Sequence, residues 1–164
     1  MALFGSSRDV STFKGIAKEL LENVISQQVG YYKYMLGDTA KNVYGEATAR
    51  YYIGPVLINC LIERGEFNAA RKESLGPDDN RDAIFRFLKD HLQDANVVPE
   101  IGDVIMYNEL YYEVDNVNQN QLILGKDPNY AYSDGLNEFG SSFSIIVTTH
   151  YTSGDKLGIN QQRL

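Results

Sequence analysis

The chain has 164 residues, 43% of them hydrophobic and 23% charged, with a formal net charge of −7. That length and balance suit one domain with a real core and exclude a wholly disordered chain. The acidic balance disfavours a protein that grips nucleic acid, because non-specific affinity comes from Lys and Arg neutralising phosphates; a surface past which DNA slides without sticking remains compatible with it.

The opening "MALFGSSRDVSTFKGIAKELLENV" has no basic region ahead of an apolar run, and no stretch approaches a membrane span. Folding in a reducing cytosol and no membrane partner are therefore expected. From about residue 12 to 28 the spacing predicts a helix, capped by Ser11 or Thr12. Ile16, Leu20, Val24 and Phe13 share one face, and Leu21 and Ile25 widen it. Such a helix should pack on one side only.

"YYKYML" reads as a strand, followed by the polar "GDTAKNVYGEATA" and a longer strand, "RYYIGPVLINCLIE". Pro55 marks that strand as an edge or as bent at Gly54-Pro55. Ile58, Cys60 and Ile62 should point one way, and Leu57, Asn59 and Leu61 the other. Cys60 is the only cysteine. It allows no internal disulfide and no cysteine-rich zinc site, and it reads as a buried, inert thiol.

"RGEFNAARKESLGPDDNRD" reads as a long polar loop, and ordered loops of that length are often functional. Its "DDNRD" starts like a calcium loop, but Ala83 stands where glycine is needed and Lys89 where a bidentate acid is needed. Residues 83–94 are expected as a strand. "IGDVIMYNELYYEVDNVNQNQLIL" carries the clearest β pattern. Asn108-Glu109 should make a tight turn and "NQNQ" a second one. Val104, Met106, Tyr112 and Val114 are expected on one face. A second long loop, "KDPNYAYSDGLNEFGSS", leads to a last strand, "FSIIVTTHYT", and a polar tail from 152 to 164. The fold class is thus mainly β, a small β-barrel with long loops and an N-terminal α-helix, in a single domain with its strands within about 31–151.

No constellation points to catalysis. Glu113 and Asp115 lie on one strand face rather than across a cleft, as paired acid catalysts would. His91 and His150 sit in strand-like segments with no nucleophile motif nearby. Gly135 and Gly140 lack the lysine and strand–helix context of a phosphate loop. No catalytic, cofactor-binding or metal residue is assigned, and no cofactor is expected. The 12 tyrosines include the pairs Tyr31-Tyr32, Tyr51-Tyr52 and Tyr111-Tyr112. In a strand each pair sends one ring inward and one outward, and outward rings suit protein–protein contact.

"FRFLKDHLQDANVVPEIGDVIMYNELYYEVDNV", "LILGKDPNYAYSD" and "FGSSFSIIVTTHYT" together resemble the neck (head-completion) protein of T4-like contractile-tailed bacteriophages, in the form carried by cyanobacterial and marine phages. "NVYGEATARYYIGPVLINCLIERGEF" fits the same pattern upstream, so the resemblance covers about residues 10–157. It implies a non-enzymatic β-barrel subunit of the virion, assembled as a homo-oligomeric ring, a hexamer, between a portal-side adaptor and the tail terminator. The ring would seal the filled head, form the tail docking face and pass double-stranded DNA without sequence recognition. The resemblance implies a shorter form than some members, which have an additional C-terminal portion.

Under that resemblance Glu73, Asp78, Asp79, Asp82, Asp127, Asp134 and Glu138 are candidate channel or gating acids on the two long loops. Tyr111, Tyr130, Tyr132 and Phe139 are candidate subunit contacts, and the N-terminal helix supplies further apolar surface. The competing expectations are a tail terminator or head–tail adaptor, a small carboxylate-dependent hydrolase using Glu113 or Asp115, and an SH3-like peptide-binding module.

Overall fold

The computed structural model describes residues 7–37, 39–41, 47–65, 68–72, 76–80, 82–122 and 142–159. The N-terminal helix α1 spans Ser7–Glu19 and continues as a π-helical stretch over Leu20–Ile25. It therefore starts and ends earlier than the sequence suggests. Ser11 and Thr12 lie inside it, and their hydroxyls donate back to the Arg8 carbonyl, both at 2.8 Å, rather than capping the first turn. The helix stops at Ser26, whose left-handed φ of 48° turns the chain into the sheet.

The strands follow in order: β1 (Gln28–Tyr34), β2 (Ala40–Lys41), β3 (Ala47–Ala49), β4 (Tyr52–Asn59), β5 (Leu61–Arg64), β6 (Asn68–Lys72), β7 (Gly76–Asn80) and β8 (Asp82–Leu88). A short helix α2 (Lys89–Asp94) precedes β9 (Val104–Tyr107), β10 (Leu110–Leu122) and β11 (Ser142–Thr152), and α3 (Gly154–Leu157) follows. Seven strands form one antiparallel sheet in the order β4-β1-β9-β10-β11-β8-β5, while β2-β3 and β6-β7 form separate two-stranded ribbons.

The two edges of the large sheet, β4 and β5, are halves of one segment interrupted only at Cys60. The sheet must therefore coil until its ends meet. Ring contacts confirm the coiling: Tyr31, on the second strand of the order, meets Phe87, on the sixth, edge to face with ring centroids 6.3 Å apart. Phe85 likewise meets Tyr107 and Tyr112 across the concave face. Among the described residues no ladder joins β4 to β5, so the expected barrel is a coiled sheet whose seam is spanned by the chain itself.

The enclosed core follows the period-2 alternation of the strands. It contains Val29, Tyr31, Ile58, Cys60, Phe85, Phe87, Ile105, Tyr112, Val114, Ile145 and Val147, with Leu92 of α2 added at one end. A smaller cluster lies on the convex face, where Tyr32, Val104, Met106 and Tyr111 are covered by Leu157. The expected grouping of Val104 and Met106 with Tyr112 and Val114 is thus corrected. The two-residue turn at Asn108-Glu109 pairs Met106 with Tyr111 and Ile105 with Tyr112, and paired residues share a face.

Other expectations also change. The strand foreseen over 83–94 ends at Leu88, where Lys89–Asp94 turn into α2. "NQNQ" is no turn: β10 runs through it, with register shifts near Asn118 and Gln121, because backbone pairing to β11 continues whatever the side chains. The 65–82 segment is not a plain loop, since β6 and β7 pair as a hairpin. The tail from 152 is not simply extended, because α3 folds back and buries Leu157.

Candidate assembly surfaces

The polar residues Lys14, Lys18 and Glu22 recur every four positions and so share one side of the N-terminal helix. That side faces α2. Lys14 pairs with Asp90 at 3.2 Å, Lys18 with Asp94 at 3.3 Å, and Glu22 lies 3.1 Å from Nε2 of the buried His91. The Asp94 carboxylate raises the Lys18 pKa. Among the described side chains of the helix only Leu21 is buried. The apolar stripe points the other way: Phe13, Ile16, Leu20 and Val24 are 51%, 58%, 47% and 72% exposed. Among the described residues the stripe does not pack on the core of this chain. Exposed ion pairs are weak and salt-sensitive, so the attachment to α2 is a light one.

Tyr51, Ile53, Val56, Leu57 and Leu61 are exposed from just before β4 into β5, but on both faces of the edge: Val56 pairs with Tyr31 of the enclosed core and Leu57 with Gly30 on the convex side. On the convex side lies a hollow. Gly30 of β1 pairs with Leu57 on one side and Met106 on the other, and the side chains of Pro55 and Met106 close over it, so that Gly30 and Met106 are buried. The depression, about 420 Å³, is bordered by the polar Gln27, Gln28, Asn108 and Glu109. A Cβ on Gly30 would stand 3.3 Å from Pro55 and 3.4 Å from Met106, so a side chain there would need those neighbours to give by a few tenths of an ångström.

The two long connections leave opposite ends of β11. The chain departs from β10 at Leu122 and returns at Ser142, its partner in the ladder. The β6-β7 hairpin instead precedes Asp82, which pairs with His150 near the other end of β11. Ser142 and His150 are separated along β11 by about 27 Å of strand.

Of the candidate channel acids, Asp78 and Asp79 lie on β7, opposite Ala70 and Ala69. Asp82 is exposed at the start of β8 and borders a cleft of about 290 Å³ with Arg64, Gly65, Tyr107 and Leu110. The Arg64 guanidinium sits 5.3 Å from the Tyr107 ring centre there. Glu73, Asp127, Asp134 and Glu138 lie outside the described residues, as do Tyr130, Tyr132 and Phe139. Tyr111 is not an outward contact. It is 3% exposed, its ring packed under Gly154 and Leu157, because it is the convex-face partner of Met106.

The carboxylates considered for hydrolysis are each engaged separately. Glu113 accepts from Arg50 at 2.6 Å, and Asp115 lies 2.7 Å from His150 Nδ1. Among the described residues no three His, Cys, Asp or Glu side chains converge as a metal site. Cys60 is fully buried, and desolvation pushes its thiol up to about 12, which suppresses the nucleophilic thiolate.

Sequence reasoning missed Asp103. Fully buried, it accepts from the Tyr31 hydroxyl at 2.6 Å, Lys33 at 3.0 Å and the backbone N–H groups of Tyr34 and Glu100, both at 2.8 Å. Burial, then the neighbouring Asp103 charge, raises the Tyr31 phenol well above its usual range. The one hint in the sequence was "PEIGD", where Gly102 takes a φ of +90° and brings the carboxylate round onto β1.

No family model matches this chain, and no curated protein matches it.

Proposed function

We propose that the chain is a structural subunit of a contractile-tailed phage neck, one of a ring of identical copies that joins the filled head to the tail around the DNA passage. The observation that carries the reading is the outward apolar stripe of α1. A helix that turns its charged side to its own chain and its apolar side to solvent is built for contact with another molecule. The coiled sheet supplies a stiff body, and the two long connections leave its opposite ends. A ring sandwiched between two different neighbours needs such a two-ended subunit. The net charge of −7 suits a passage that leaves DNA mobile. The strand-dominated fold fits the neck subunit better than a mainly helical adaptor.

Disruption of the gene in the phage that encodes it tests the reading. Filled heads and separate tails should accumulate, and adding the purified chain should join them. Normal tailed particles without the chain would refute it.

A further inference from the structure

We propose that the N-terminal helix is an arm held shut on the body by an ionic clasp, and that screening the clasp opens it as a unit about Ser26 while the coiled sheet stays intact. The device belongs to the single chain and stands whether or not the chain forms a neck. From Ser7 to Ile25 the described side chains include one apolar anchor, Leu21, which is part of neither hydrophobic cluster. The hold on α2 is charged. Lys14 meets Asp90, Lys18 meets Asp94, and Glu22 meets His91. The Lys18–Asp94 pair lies open to water and the Lys14–Asp90 pair is half-buried, so both weaken as salt rises.

The joint is built for a swing. Before it, the helix closes on itself, with the Ser26 N–H donating to the Leu21 carbonyl at 3.0 Å. After it, the Gln27 carbonyl accepts from the Cys60 N–H at 3.0 Å, and Val29 is core. The change of direction falls on Ser26, at φ 48°, and hinges are a few such residues at the end of an element. The other jaw is fixed, because Leu92 anchors α2 in the core. Slipping does not replace opening. The lysines and the aspartates both recur every four residues, so a one-turn slide that set Lys18 against Asp90 would bring Glu22 against Asp94. A segment held by few buried contacts is the part of a fold that opens first.

Spin labels on Ser11→Cys and Asn96→Cys, both exposed positions, measure the opening in the full chain. Excess unlabelled chain is added so that only distances within one copy are read, and the native Cys60 is buried away from the label. Between about 0.1 M and about 1 M NaCl the screening length falls from about 10 Å to about 3 Å. The fraction of long label-to-label distances should rise several-fold across that range, with the strand signal in circular dichroism unchanged. Lys14→Asp should open the arm at the lower salt, and adding Asp90→Lys should close it again. A distance distribution indifferent to salt, loss of the strand signal together with the opening, or a charge swap that fails to restore the short distance overturns the proposal.

Discussion

Replacing Asp103 by alanine removes the acceptor of four donors at once. The Tyr31 hydroxyl is left fully buried with nothing to donate to, while Lys33 and the two N–H groups are partly buried and regain some water. A stranded buried donor costs about 1–3 kcal/mol, and removal of one member of a buried charged network about 3–5 kcal/mol. Asp103→Ala should therefore lose about 3–5 kcal/mol, a large share of the roughly 5–15 kcal/mol that holds a domain. Tyr31→Phe removes one donor and leaves the carboxylate three others, so it should lose about 1 kcal/mol. In the Tyr31→Phe background Asp103→Ala should cost less than in the wild type, because no phenol is stranded. Urea unfolding followed by circular dichroism gives all four corners of this cycle. A loss below 1 kcal/mol for Asp103→Ala, or strict additivity with Tyr31→Phe, would refute the reasoning.

Three further outcomes are expected. Stability should fall as pH rises above 9. The folded Cys60 pKa, about 12, exceeds its usual 9.0, so the unfolded thiol ionises first and draws the equilibrium toward unfolding. Cys60→Ala should reduce that alkaline slope by about 1.4 kcal/mol per pH unit between 9 and 12, and an unchanged slope would contradict the burial of the thiol. Glu109 holds φ at 63° in the β9-β10 turn, where glycine carries no steric penalty. Glu109→Gly should therefore raise the urea midpoint by the equivalent of about 0.5–1 kcal/mol, and a lowered midpoint would argue against this turn geometry. Gly54→Ala should lower the midpoint sharply. Its φ is +142° and the added Cβ would stand 2.6 Å from the Tyr31 carbonyl oxygen, so a neutral result would mean that β4 does not cross β1 there.

The legible parts of the fold were those where one period ran without interruption. Phe85-Phe87 and Ile145-Val147 alternate cleanly, and both pairs are core. Ile58, Cys60 and Ile62 point inward as their spacing predicts, and Pro55 does mark an edge strand. The failures have physical causes. Which residues share a face across a hairpin depends on the turn's residue count, so Tyr111 and Tyr112 exchanged places relative to expectation. A change of period inside one run, from strand at Phe87 to helix at Leu92, is hidden because both residues are apolar. The helix stripe was evident as a pattern, but amphipathicity says only that a face will be covered, not by which molecule. The hollow at Gly30 could not be foreseen at all, since it depends on the register of β4, β1 and β9 together.

A reconstruction of the neck region of the tailed particle tests the central claim most directly. The account predicts a closed ring of copies of this chain around axial DNA density, each with its coiled sheet in the wall and α1 lying on a neighbour. A neck complete without this chain, or a chain present only as a single copy outside the channel wall, would contradict it.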